Sequence, residues 1–204
     1  SNSMVFSQAF RNTNVVSVDF ANLMTVSGVN AVYEAFIICK KLTFINFDSL
    51  ENVSGARAFY DTFRNCNSLT VLPFPNLVSV SSMHYSFAGC SNVTNVYMPN
   101  LYNIGSNGMN WAFSDCTNIT NVTFNSLYNI YYGGLYSAFN GCTSLTELRF
   151  PALGQAWSNT FDGMLSGCTG VTVHFPAAMQ STMSSWTSVT GGFGGTSTTV
   201  LFDL

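Results

Sequence analysis

The chain has 204 residues, a size that fits one domain or one run of repeats. Charged residues make up 7% of it, against about 25% in a typical soluble domain, and six Lys and Arg against nine Asp and Glu leave a net charge of −3. This excludes a basic nucleic-acid footprint and a polybasic membrane-binding patch, while 15% aromatic residues exclude a charge-rich disordered chain.

Solubility falls instead to Asn, Ser, Thr and Gly. No run approaches the roughly 18 consecutive apolar residues of a membrane-spanning helix. The start, Ser1-Asn2-Ser3-Met4, has neither a basic nor an apolar leader segment. It falls inside the repeat pattern, which suggests that upstream residues are absent from this chain.

Taken in chain order, the elements recur. A first copy runs from Phe10 through Val15, Val18, Phe20, Leu23 and Val26 and has no cysteine. Six further copies are marked by Cys39, Cys66, Cys90, Cys116, Cys142 and Cys168, spaced by 27, 24, 26, 26 and 26 residues. Three residues before each Cys stands Phe36, Phe63, Phe87, Phe113, Phe139 and lastly Leu165. Three after it stands Leu42, Leu69, Val93, Ile119, Leu145 and Val171. Then come an aliphatic residue and a large apolar one: Ile45 and Phe47, Leu72 and Phe74, Val96 and Met98, Val122 and Phe124, Leu148 and Phe150. The last copy is a residue short and ends on Val173 and Phe175. Degenerate end copies are expected of a stacked array.

Each copy contains an alternating, β-rich stretch after its cysteine, which predicts one short strand per repeat. A proline after the strand (Pro75, Pro99, Pro151, Pro176) stops ladder pairing. Before each Cys, aromatics three apart, as in Tyr33 and Phe36 or Tyr136 and Phe139, suit a helical or 3₁₀ turn. A polar pair after the Cys returns the chain to the next strand. One copy alone cannot bury its apolar face, but stacked copies bury a continuous column of Leu, Phe and Val.

The stretch Ala138-Phe139-Asn-Gly-Cys142-Thr-Ser-Leu145-Thr-Glu-Leu148-Arg-Phe150-Pro151 resembles the BspA-type leucine-rich repeat, and the resemblance spans about seven copies over residues 1–176. It implies a right-handed curved solenoid. Short parallel strands would line the concave side, with irregular or 3₁₀ turns on the convex side. It also implies a bacterial secreted or cell-surface protein that binds host proteins. The copies are slightly longer than usual for the type, and the low charge would equally suit a phage or fibre-like assembly. Residues 177–204 read as a C-terminal cap. Met179, Met183 and Trp186 share one face at helical spacing, Gly191 to Gly195 form a loop, and Thr198 to Asp203 form a last strand.

The six cysteines are expected to be free and buried, because residues in one repeat slot point the same way and a disulfide needs facing Cβ atoms. No close thiolate pair suits zinc, and no metal or cofactor is expected. His84 sits in a slot that holds Tyr33, Tyr60 and Tyr136 elsewhere and reads as packing. His174 falls at an outward strand position, open to a ligand. No nucleophile–base set or facing carboxylate pair is readable, so the chain is not expected to be an enzyme.

The outward strand positions carry the functional expectation. They lie five and seven residues after each Cys. The first copies give Phe44 and Asn46, Val71 and Pro73, Asn95 and Tyr97. The later ones give Asn121 and Thr123, Glu147 and Arg149. Phe44, Val71, Pro73 and Tyr97 form an apolar patch of the kind that marks interaction sites. A second aromatic row, Tyr102 and Tyr128, is the next choice, with Tyr131, Tyr132 and Tyr136 on the adjoining loop. The expected function is non-catalytic binding of a host or bacterial surface protein or glycan by an extracellular or cell-surface module. No nucleic-acid partner or membrane insertion is expected. The alternative is a structural spacer or phage-associated fibre part.

Overall fold

The computed structural model describes residues 6–157, 159–183 and 192–204. Trp186 and Gly191, assigned above to the cap, lie outside the described residues. Each repeat makes one coil with two short strands. In chain order these are β1 (Ser17–Asp19) and β2 (Thr25–Val26), β3 (Phe44–Asn46) and β4 (Asn52–Val53), β5 (Val71–Pro73) and β6 (Ser79–Val80). They continue as β7 (Asn95–Tyr97) and β8 (Asn103–Ile104), β9 (Asn121–Thr123) and β10 (Asn129–Ile130), β11 (Glu147–Arg149) and β12 (Gln155–Ala156). The array ends in β13 (Thr172–Phe175), and β14 (Thr199–Phe202) lies near the C-terminus.

The first strand of each coil is the expected one. It pairs in parallel with the next coil in repeat register, so that Ser17 faces Phe44, Val71 faces Asn95 and Glu147 faces Thr172. The second strands add a row that the sequence reading did not contain, a continuous six-stranded parallel sheet from β2 to β12. The first row is interrupted between β3 and β5 and between β7 and β9. In β3 the N–H of Phe44 donates to Val16 of the preceding coil, and the parallel ladder asks for the next such donor two residues on. At that place in β5 stands Pro73, which has no N–H to give. Nothing in the sequence explains the second break.

The middle residue of each first-row strand points inward: Val18, Ile45, Leu72, Val96, Val122, Leu148 and Val173 are all buried. Behind them run two aromatic stacks. Phe10, Phe36, Phe63, Phe87, Phe113 and Phe139 follow one another at 5.1 to 5.8 Å between ring centres. Their planes lie within 16° of parallel, the offset-stacked geometry that the ring quadrupole favours. The second stack joins Phe47 to Phe74, and Phe124 to Phe150 and Phe175. Met98 stands in the gap between the two pieces. The abundant Asn is used across coils: Asn129 Nδ2 donates to Asn103 Oδ1 at 2.7 Å, and Asn76 and Asn100 donate to carbonyls of the coil before them.

The segment before each Cys is a run of tight turns, the irregular form of the expected convex side. From Asn30 to Cys39 the N–H groups alternate in direction. Those of Asn30, Val32, Glu34, Phe36 and Ile38 donate to the next coil, and those between them donate to the carbonyl three residues back. Every fourth residue takes a positive φ to make this possible: Asn30, Glu34 and Ile38, then Arg57, Asp61 and Asn65. The last of each set precedes the Cys; Asn65, Gly89, Asp115, Gly141 and Gly167 supply residue types that tolerate the left-handed region there, whereas Ile38, before Cys39, is β-branched and adopts it against its preference.

Asp61 is one of these positive-φ residues and is buried; its Oδ1 accepts a hydrogen bond from Arg64 Nη1 at 3.3 Å. Burial pushes the Asp61 carboxyl above its ordinary value, against the opposing pull of Arg64. The native state therefore holds this proton more readily than the unfolded chain. A penalty exists at neutral pH and disappears as pH falls through the folded-state pKa. Asp61→Asn keeps the φ tolerance and removes the charge. It should stabilise the fold by about 0.5–2 kcal/mol at neutral pH and by much less in mild acid, as thermal unfolding at the two pH values would show.

All six cysteines are free and buried. They are more than small hydrophobes: each thiol donates to the carbonyl of a Phe in the preceding coil. Cys39 reaches Phe10 at 3.0 Å, Cys66 reaches Phe36 at 3.0 Å, and the series continues to Cys168 on Phe139 at 3.2 Å. From Phe36 onward the same carbonyl also accepts the N–H of the Cys in its own coil, so both lone pairs of a buried oxygen are used. Burial raises the thiols of Cys66, Cys90, Cys116, Cys142 and Cys168, Cys90 to about 12 and Cys168 to about 11. Thiolates are the reactive form. A thiol reagent should therefore leave these two sites, with Cys66, Cys116 and Cys142, nearly untouched in the native protein. It should count six thiols after denaturation without reductant, and a lower count would reveal disulfides.

After Pro176 the chain makes a 3₁₀ turn over Ala177–Met179 and a single helical turn, α1 (Gln180–Met183), which bury Met179 and Met183. β14 then pairs in parallel with β13, Thr199 opposite Thr172 and Phe202 opposite Phe175. It extends the first row by one strand, with the Phe202 ring 5.9 Å from Phe175.

Candidate binding faces

Alternation in the first-row strands turns two residues of each outward. Phe44, Val71 and Tyr97 are exposed at 52%, 43% and 50%, with Asn95 and Asn121 exposed beside them. Asn46, Pro73, Thr123, Glu147 and Arg149 are half-buried on the same face. The apolar members cluster toward the N-terminal half and the ionic ones toward the C-terminal half.

His174 departs from the expectation that it is open to a ligand: it is buried. Its Nδ1 lies 2.9 Å from Asp203 Oδ1 and its Nε2 lies 3.2 Å from Glu147 Oε1. The physical reason is β14, which adds a strand beside β13 and brings Asp203 to the ring. Arg149 Nη2 donates to the same Glu147 oxygen at 2.8 Å. That hydrogen bond is the main cause, with His174 adding to it, that holds Glu147 below the ordinary carboxylate range. These four side chains satisfy one another and form a clamp at the end of the array. His84 is half-buried against Tyr60 at 5.7 Å, and burial lowers its pKa, in line with a packing role.

The two members of the second aromatic row pack on each other. Tyr102 and Tyr128 stack at 5.5 Å and 5°. The other side of Tyr128 lies over Gly154, where a Cβ would strike its ring. Both rings remain exposed, Tyr102 at 43% and Tyr128 at 39%. Tyr131, Tyr132, Tyr136 and Trp157 are also exposed, on the loops.

Among the described residues no group of three His, Cys, Asp or Glu is placed to hold a metal ion, and no helix is long and apolar enough to cross a membrane.

Coils of near-constant length, parallel strands in repeat register and a ladder of inward Leu, Phe and Cys define a repeat solenoid of the leucine-rich class. The family model for the BspA type leucine rich repeat region matches residues 3–132 and 60–185, in six copies, and the chain belongs to that family. No curated protein matches it in sequence. Repeat solenoids of this family are typically non-catalytic modules, usually of surface or secreted proteins.

Proposed function

We propose that the chain is a non-catalytic binding module of a bacterial cell-surface or secreted protein, and that it holds a protein or glycan partner against its first strand row. The observation that carries this reading is the exposed apolar patch of Phe44, Val71 and Tyr97 around Pro73. A rigid stack of parallel strands presents these side chains without the entropy loss of ordering a loop. Strands about 4.8 Å apart place Phe44 and Tyr97, two coils from each other, roughly 10 Å apart, within one small epitope. Charge is sparse there, so binding should depend little on salt. The low charge of the whole chain favours a second reading, a spacer or fibre part with no ligand. The two are separated by presenting the purified chain to arrays of extracellular-matrix proteins and glycans. A module retains at least one saturable partner at physiological salt, and a spacer retains none.

A further inference from the structure

The coil that leads to Cys90 is the shortest of the array. Cys90 follows Cys66 by 24 residues, where the other spacings are 26 or 27. What is missing is one tight turn. The coil before it has three positive-φ residues, Arg57, Asp61 and Asn65, and the coil after it has Asn107, Trp111 and Asp115, but this coil has only Tyr85 and Gly89. The absent turn leaves a notch flanked by Arg57 and Asn107, a cavity of about 420 Å³ whose lining also includes Ser54, Tyr60, His84 and Ser106. That volume is within the range typical of small-molecule sites. The backbone shows the same gap. Asn30 and Asn107, the first positive-φ residues of their coils, donate their N–H groups to Ala56 and Tyr132 in the next coil. In register with Phe59 on Ser82 and Asp61 on His84, Arg57 would donate to Val80. Val80 instead ends β6, and its carbonyl accepts the N–H of Gly105.

The side chains around the notch are accessible donors. Of the four arginines in the chain, Arg11, Arg64 and Arg149 are each paired with a carboxylate. Arg57 is exposed and makes no ion pair or side-chain hydrogen bond with a described residue. No Asp or Glu is among the lining residues. Asp61, whose charge reaches the Tyr60 hydroxyl, is buried and already accepts from Arg64. His84 is half-buried, and burial lowers its pKa, so at neutral pH the ring is uncharged and offers one N–H. Ser54 and Ser106 are exposed, and their hydroxyls bond to no described residue. One fixed positive charge among hydroxyls, with no acid beside it, is complementary to an anion. The guanidinium fork takes two oxygens of such a group. A carboxylate is then used up, whereas a phosphate or sulfate has oxygens left for the serines.

We propose that this notch binds a tetrahedral oxyanion, the phosphate or sulfate group of an esterified ligand, on Arg57 and the hydroxyls of Ser54 and Ser106. The site is separate from the strand face of Phe44 and Tyr97. The test is an NMR titration of the isotope-labelled full chain at neutral pH and low salt, where exposed charges are least screened. The probes are phenyl phosphate and phenyl sulfate, with benzoate as the planar control on the same ring. At least one ester should shift the Ser54, Arg57 and Ser106 amides to saturation with a Kd of about 5 mM or tighter. The relative affinity of the two esters tells a phosphorylated source from a sulfated one. Arg57→Asn places at this φ the residue type found at Asn30 and Asn107. It should weaken binding about tenfold without lowering the unfolding midpoint. Lys40→Gln, which removes an exposed charge away from the notch, and Phe44→Ala/Tyr97→Ala should leave the affinity unchanged. The proposal is overturned if neither ester saturates by about 50 mM, if benzoate binds as tightly as the esters, if Arg57→Asn binds like the wild type, or if Lys40→Gln weakens binding as much as Arg57→Asn.

Discussion

Phe113→Ala should lower the unfolding free energy by about 3–5 kcal/mol, the cost of emptying a fully buried aromatic site. Phe113 is completely buried and stacks on Phe87 at 5.8 Å and on Phe139 at 5.1 Å. It sits in the middle of the array, so its loss weakens two inter-coil interfaces at once. In a stack whose stability is a sum of repeats and nearest-neighbour interfaces, that is where damage divides the molecule. Phe113→Asp should go further and abolish soluble expression, because a carboxylate there has no partner. Asn121→Asp, on the outward side of β9, should be tolerated. Urea unfolding of the Ala and Asn121 variants measures the contrast, and equal stability of the two would overturn the inside–outside assignment.

A comparable loss is expected from a single added methyl group. A Cβ on Gly55 would run into the carbonyl oxygens of Ser27 and Gly28 in the preceding coil. These are backbone atoms, and they cannot rotate aside as a side chain would. Gly55→Ala therefore has to push two coils apart between β2 and β4, which pair directly through Thr25 and Asn52. Overpacking costs about 1–3 kcal/mol, and this position belongs at the upper end because the yielding atoms are main chain. Thermal unfolding should show a clear drop in midpoint, and an unchanged midpoint would mean that the coils are not in van der Waals contact there.

The large-scale order of the molecule was legible because one signal repeats. A cysteine every 26 residues or so sets the register, and the strands at Phe44–Asn46, Val71–Pro73 and Asn95–Tyr97 fall five to seven residues after it. The second strand row was not legible. Two residues such as Thr25 and Val26 carry no alternation of their own, and they become a strand only because neighbouring coils pair with them. The turn runs are not distinguished by sequence, since aromatics three apart fit a 3₁₀ turn as well as a chain of tight turns. The residue before every Cys but Cys39 was the available clue, for Asn, Gly and Asp recur there. The burial of His174 is hidden from local pattern for a different reason. Its strand position is outward by count, but Asp203 reaches it from 29 residues away through a pairing that local pattern does not specify.

The most direct measurement is the affinity of the Phe44→Ala/Tyr97→Ala variant for a protein partner captured on the matrix array. Buried aromatics dominate interface energies, and both side chains are exposed in the free chain, so their truncation leaves the core intact. Binding should weaken about tenfold or more, change little with salt and leave an unfolding midpoint equal to that of the wild-type chain. Unchanged affinity in a variant of unchanged stability would contradict this expectation and remove the strand face as the binding surface.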